Sequence, residues 1–191
     1  KALCQHLLTK YPDNAEFWML QANAYVGLGE PMSAAENLEL VERMGKSTTA
    51  SMNLLGDIYV NEELWHLAVK AYLRAMELDD EGKPARPIQA AKVLTARGAL
   101  DESDMLVTKI QDKYGEDLSD DQHTDLLRLE ARIAMSRHQD EKHARIIEEL
   151  LKRNPTDGDA LIQLGQYHAR LADQYYGEAE VAKADGKEDE A

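Results

Sequence analysis

Apolar and small residues recur along this chain with a period of 34 residues. The first copy places them at Trp18, Ala22, Tyr25, Gly29 and Ala34. The residues 34 positions further on are Met52, Gly56, Tyr59, Glu63 and Ala68. A fixed period between about 20 and 50 residues indicates an array of stacked units, each of which buries its apolar face against the next. Because the spacing inside each copy is helical, we expect every unit to be a pair of α-helices.

The composition favours an all-α protein and excludes several kinds of partner. Aromatic residues make up only 6% of the chain, and no alternating β-branched run reaches the length of a strand. The net charge of −14 repels a phosphate backbone, so no nucleic-acid partner is expected. No run of 18 apolar residues occurs, so we expect no membrane insertion. Cys4 is the only cysteine, which excludes an internal disulfide and a cysteine zinc cluster.

Local signals predict where several helices begin and end. Asp13 with Glu16, three residues on, has the pattern of a capping box that opens a helix. Gly29 is suited to the left-handed turn that closes this helix. Ser119 and Gln122 form a second predicted capping box after a polar spacer.

The recurring positions resemble the tetratricopeptide repeat (TPR) family. Its 34-residue unit has a large residue at position 4, Leu at 7, a small residue at 8, Tyr at 11, Gly at 15 and Ala at 20. Residues 15–82 match this pattern closely and residues 84–191 loosely. Departures include Gln21 where the family has Leu and Glu63 where it has Gly. The resemblance implies an all-α fold, a right-handed α-α superhelix (solenoid) of antiparallel helix pairs.

On this basis the chain is predicted to be one continuous repeat domain that is interrupted at both ends. Its parts are the second helix of a truncated repeat (1–14), two repeats (15–48 and 49–82), a degenerate repeat (84–117), another repeat (124–157) and an incomplete repeat (158–191). No turn signal occurs in the last part before Gly186. Its first helix is therefore expected to be lengthened to roughly 27 residues, with a second helix starting near Gly186.

The family resemblance also implies a function, that of a non-catalytic scaffold or adaptor which binds a peptide or protein segment in a concave groove. Members of the family line this groove with positions 2, 5, 9, 12 and 13 of each first helix. The partner-binding residues predicted in this way are Met19, Asn23, Val26, Asn53, Asp57, Val60, Lys92, Arg128, Arg132, Ile162, Gln166 and Arg170.

Two of these residues form a sharper candidate site. Arg128 and Arg132 lie one helical turn apart and point the same way, which suits capture of a carboxylate or phosphate. The alternative interpretation is that both are solvated and pair with neighbours such as Asp125 or Asp159.

The charge distribution favours a partner segment of mixed charge. Residues 15–82 carry 12 acidic and four basic side chains, whereas the predicted groove becomes basic towards its C-terminal half. The family's clamp for chaperone C-termini is not expected, because Asn23 is its only matching residue. The alternative function is a structural segment of a larger protein that self-associates through its terminal repeats. No catalytic residue, cofactor or metal site is indicated, and the compartment, cytoplasmic or periplasmic, stays open.

Overall fold

A computed structural model describes residues 2–184 as helices joined by short connections, and the side chains of residues 3–181 and 183. The predicted helix near Gly186 lies outside the described residues. The described helices are α1 (Ala2–Lys10), α2 (Ala15–Gly27), α3 (Pro31–Arg43), α4 (Thr49–Asn61), α5 (Trp65–Glu77), α6 (Ala85–Ala96), α7 (Leu100–Tyr114), α8 (Asp120–Ser136), α9 (Asp140–Arg153) and α10 (Gly158–Ala184).

The chain divides into two compact units, residues 1–122 and 123–191, and the boundary lies in the first turn of α8. In the first unit, α2 packs on α3, α4 on α5 and α6 on α7, each pair joined by a short turn. The bounds of α4 and α5 repeat those of α2 and α3 at a distance of 34 residues. The sequence period is therefore the period of the helix pairs. The division into six numbered segments stays a prediction.

Small residues at one recurring position let the helices of each pair approach closely. Among the described residues these are the buried Ala22, Gly56, Ala91 and Ala131. The closest approach is at Gly56, where a Cβ atom would lie 2.5 Å from the Tyr72 ring. The ring of α5 thus lies directly on the backbone of α4.

The turns inside four helix pairs share one geometry. At each turn one residue has a positive φ, and the following N–H bonds to a carbonyl five residues back, as in a Schellman motif. The residues with positive φ are Gly29 (72°), Glu63 (59°), Gly98 (83°) and His138 (56°). Glycine adopts this conformation freely, whereas a residue with a Cβ is strained by about 1–2 kcal/mol.

Glu63→Gly is therefore expected to raise the free energy of unfolding by about 0.5–1 kcal/mol, because relief of the strain exceeds the entropy that glycine adds to the unfolded chain. The measurement is urea denaturation followed by circular dichroism. Glu62→Gly is the matched control, since Glu62 has a φ of −92° and glycine should weaken the fold there. Equal effects of the two substitutions would contradict the strain at Glu63.

The second unit contains most of α8 together with α9 and α10. Its core is formed by Ala131 of α8, Ile147 and Leu150 of α9, and Ala160 of α10. His143 is also buried, 6% exposed, at the place where the earlier pairs have Ala34, Ala68 and Ser103. Its ring nitrogen Nε2 lies 3.0 Å from Oε1 of Gln163 on α10. This hydrogen bond gives the buried imidazole a polar partner and links α9 to α10.

Candidate partner-binding surfaces

The exposed side of the first helices, α2, α4 and α6, contains the predicted groove residues of the first unit. Asn23 and Val26 are exposed, and Met19, Asn53, Asp57 and Lys92 are half-buried. Val60 is different, because it is only 4% exposed and packs inside the unit. A partner would therefore not reach its side chain, although the family position had indicated that it would.

Asp57 holds three helices together. Its carboxylate accepts a hydrogen bond of 2.8 Å from the Tyr72 hydroxyl on α5 and forms an ion pair with Arg86 on α6. Burial, the charge of Asp57 and the hydrogen bond to it all raise the pKa of Tyr72. Sequence reasoning missed Arg86, which follows Asp57 by 29 residues, the separation that also joins Arg128 to Asp157. A search for opposite charges at this separation would have found both pairs.

A pocket of about 480 Å³ opens beside Asn53. Its walls combine apolar and polar side chains from α4, α6, α7 and the connection between α5 and α6. They are Thr49, Ala50, Asn53, Ala75, Met76, Leu78, Asp79, Asp80, Glu81, Lys83, Arg86, Pro87 and Tyr114. The sequence indicated only Asn53 among them as a binding residue.

Hydrogen bonds hold the α5–α6 connection in place against this pocket. The Thr49 hydroxyl donates to the Leu78 carbonyl at 2.9 Å, and the Tyr114 hydroxyl donates to Asp79 at 3.1 Å. Burial opposes ionisation of Asp79, but the Lys83 N–H, the Tyr114 hydroxyl and the Glu81 N–H together lower its pKa. The pocket wall is thus preformed, which reduces the entropy lost when a ligand binds.

A second pocket, of about 600 Å³, lies against α3, α4 and α5. Leu67 and Met105 are exposed hydrophobic residues in its lining, and Glu39, Arg43 and Lys70 are among the charged ones. Sequence reasoning missed this pocket, because all its predicted sites were placed on first helices. An exposed leucine or methionine on a second helix is the signal that could have indicated it.

In the second unit, the predicted binding residues are all exposed. Ile162 is 60% exposed, Gln166 is exposed, and Arg170 forms a 3.5 Å ion pair with Asp140. Arg128 pairs with Asp157 at 3.1 Å, whereas Arg132 makes no ion pair with any described residue. The alternative interpretation of Arg128 was therefore right in kind, but the partner is Asp157 rather than Asp125 or Asp159.

Asp157 performs two functions in this unit. Its Oδ1 accepts a hydrogen bond of 3.1 Å from the Ala160 N–H and so caps α10, while Oδ2 faces Arg128. The Ala160 N–H, and after it the Arg128 guanidinium, lower the pKa of Asp157. Because the folded-state pKa is lowered, this group stabilises the fold above the unfolded value of about 3.9, and the contribution is lost as the pH falls through the folded value.

Arg128→Gln is expected to raise the pKa of Asp157, because the cap would remain while the positive charge is removed. An NMR titration of the carboxyl resonance measures this pKa directly. Arg132→Gln removes a neighbouring charge that has no contact with Asp157 and should leave the pKa unchanged. An Asp157 pKa that is insensitive to Arg128→Gln would show that the ion pair does not form in solution.

The described residues contain no group of three or more His, Cys, Asp or Glu side chains that could hold a metal ion. None of the helices in residues 2–184 is both long and apolar enough to cross a membrane.

No protein-family model and no curated protein matches the sequence. Solved structures do match the fold. The crystal structure of YrrB, a TPR protein with an unusual peptide-binding site, is similar with a TM-score of 0.55 and 22% identity, over 89% of this chain and 81% of YrrB. The crystal structure of MamA is similar with a TM-score of 0.52 and 14% identity, over 82% of this chain and 87% of MamA.

These similarities define the fold of the chain as that of the tetratricopeptide repeat proteins. The predicted class, an all-α solenoid of antiparallel helix pairs, is confirmed. At this level of identity the comparison speaks to the fold alone, because one fold carries many functions.

Proposed function

We propose that this chain is a non-catalytic protein-interaction scaffold that binds a peptide or protein segment along the exposed side of its first helices. The observation that carries the proposal is the half-buried amide of Asn53 at the edge of the 480 Å³ pocket. The fold it shares with YrrB, which has a peptide-binding site, supports the same class of function.

Free amide groups suit the recognition of a peptide backbone. Within the described residues, neither Asn23 nor Asn53 uses its side chain in a hydrogen bond. An asparagine amide has a donor and an acceptor, so it can bond to both polar groups of a peptide unit. Burying Asn53 without a partner lowers stability, and a bound peptide would satisfy its amide.

The surroundings of Asn53 favour a segment that carries an apolar side chain. Ala50, Ala75 and Pro87 form part of the pocket wall, and burial of an apolar group against them contributes affinity. The charged residues around them select the partner rather than add much affinity. Asp57 and Arg86 neutralise each other, whereas Asp80 lies exposed on the wall.

In the second unit, Arg132, Ile162 and Gln166 are the residues through which a partner would bind. A carboxylate of the partner would compete with Asp157 for Arg128, whereas Arg132 is open to it. A segment with acidic residues at one end and basic residues at the other would match both units by charge.

The test is to pan the whole chain against an unbiased displayed peptide library and to measure the affinities of the selected peptides. Asn53→Ala is expected to weaken binding about tenfold, since a peptide hydrogen bond in a half-buried site is worth about 1–1.5 kcal/mol. Gln174→Ala, which removes an exposed amide in the second unit, is the matched control. Peptides that bind both variants and the parent equally would refute binding at Asn53.

Self-association through the terminal repeats stays a prediction. Sedimentation of the whole chain over a range of concentrations tests it independently of the peptide measurements.

A further inference from the structure

Helices α4 and α10 begin in the same way. The side chain of Thr48 accepts a hydrogen bond of 3.1 Å from the Ser51 N–H, and Asp157 accepts one of 3.1 Å from the Ala160 N–H. Each helix then has a glycine as its eighth residue, Gly56 in α4 and Gly165 in α10. The two helices can therefore be compared residue by residue.

In α4 the face around this glycine is covered by α5. Met52, which precedes Gly56 by one turn, is 1% exposed. The ring of Tyr72 lies against Gly56, where a Cβ atom would meet ring carbons at 2.5, 2.7 and 2.8 Å. The glycine thus serves as a notch for an aromatic side chain of the covering helix.

In α10 the corresponding face is open. Leu161, the counterpart of Met52, is 50% exposed, and a Cβ atom on Gly165 would meet nothing within 4 Å. The opposite side of α10 is covered, because Ala160 and Leu164 pack in the core of the second unit. The exposure is therefore specific to one face of the helix.

This open face continues along the helix. Ala172 and Tyr176 follow Gly165 at 7 and 11 residues, which places them on the same face, and Tyr176 is 75% exposed. Asp173 and Glu180 border this part of the face. An exposed apolar stripe with a polar border is the usual appearance of a surface for another protein.

We propose that the open face of α10, formed by Leu161, Gly165, Ala172 and Tyr176, binds an amphipathic helix of a partner protein that places an aromatic ring over Gly165. The same face of α4 is covered by a helix with this chemistry, which argues for an aromatic residue at the notch. A covering helix that runs antiparallel to α10 has its N-terminal half beside Asp173 and Glu180, and basic residues there would be complementary.

Helix α5 itself meets these requirements and serves as the probe. It has Tyr72 for the notch and the basic or titratable residues Lys70 and His66 in its N-terminal half. A labelled synthetic peptide of residues 64–79 is titrated with the whole chain and followed by fluorescence anisotropy. Saturable binding is expected, and a peptide with Tyr72→Ala should bind about tenfold more weakly, a difference of about 1.4 kcal/mol.

Two glycine variants of the whole chain make the test specific. Gly165→Ala fills the notch and is expected to weaken binding of the probe about tenfold. Gly177→Ala is the matched control, because its Cβ also meets nothing within 4 Å and it brings the same gain in helix propensity. Circular dichroism verifies that both variants remain helical.

The proposal is overturned if the probe does not bind, or if both variants bind it equally well. It is also overturned if the parent chain sediments as a dimer that Gly165→Ala dissociates, since a second copy is then the occupant. A third contrary result is protection of the Gly165 face from labelling by residues of the same chain beyond 184. This surface is separate from the one around Asn53, so failure of either proposal leaves the other standing.

Discussion

Gly56→Ala is expected to lower the free energy of unfolding by about 2–3 kcal/mol, even though alanine is the better helix former by about 1 kcal/mol. The added methyl group would lie 2.5 Å from Cε1 of Tyr72, well inside van der Waals contact. The ring cannot easily move away, because Tyr72 is 2% exposed and its hydroxyl donates to Asp57 at 2.8 Å. Either α4 and α5 separate or the ring leaves its rotamer, and both reduce the packing of the pair.

Chemical denaturation of the parent and the variant measures this effect. Gly165→Ala is the matched control, because that site is open and alanine should raise stability there by about 0.5–1 kcal/mol. A second substitution, Tyr72→Leu, should recover part of the loss in Gly56→Ala by removing the ring from the contact. If Gly56→Ala is as stable as the parent, the two helices are not as close in solution as the structure places them.

Gln21→Leu is expected to destabilise the protein by about 1–3 kcal/mol, although leucine is the residue that the family has at this position. Gln21 is 3% exposed, and its Oε1 accepts a hydrogen bond of 3.0 Å from Nδ2 of the buried Asn37. Its own amide donates to Gln5 at 3.3 Å. Leucine would leave the Asn37 amide buried without this partner, and that loss exceeds the gain from a more apolar side chain.

A double-mutant cycle separates the two contributions. Gln21→Leu/Asn37→Leu removes both polar groups and is expected to recover most of the lost stability. Gln5→Ala serves as a control, because Gln5 is exposed and its loss should cost less than about 0.5 kcal/mol. If the double variant is no more stable than Gln21→Leu alone, the Gln21–Asn37 hydrogen bond does not account for the departure from the family pattern.

Signals that act within one turn of helix were the most readable part of the sequence. The predicted capping box at Ser119 and Gln122 is confirmed, with hydrogen bonds of 2.9 and 3.3 Å. The predicted cap at Asp13 was wrong by one residue, because Asn14 accepts the hydrogen bond from the Glu16 N–H instead. Asp and Asn are almost equally good caps, so adjacent candidates cannot be ranked from sequence.

The candidate sites were less predictable than the helices. The family positions correctly placed Asn23 and Asn53 where their amides are available, but they also included Val60, which is buried. Position within a repeat gives the direction of a side chain, whereas its exposure depends on how the neighbouring helices cross. The pocket of about 600 Å³ was not foreseen, because its lining comes from helices that the repeat pattern assigns to packing.

By itself, the sequence determined the class of fold and the helix pairs, because a 34-residue period of small and apolar residues can bury its apolar faces only by stacking. The tertiary structure decided which of the predicted binding residues are available. Asp57 is bound by Tyr72 and Arg86, and Arg128 is paired with Asp157. These partners lie 15 to 29 residues away in sequence, and only the packing of separate helices brings them within hydrogen-bond distance.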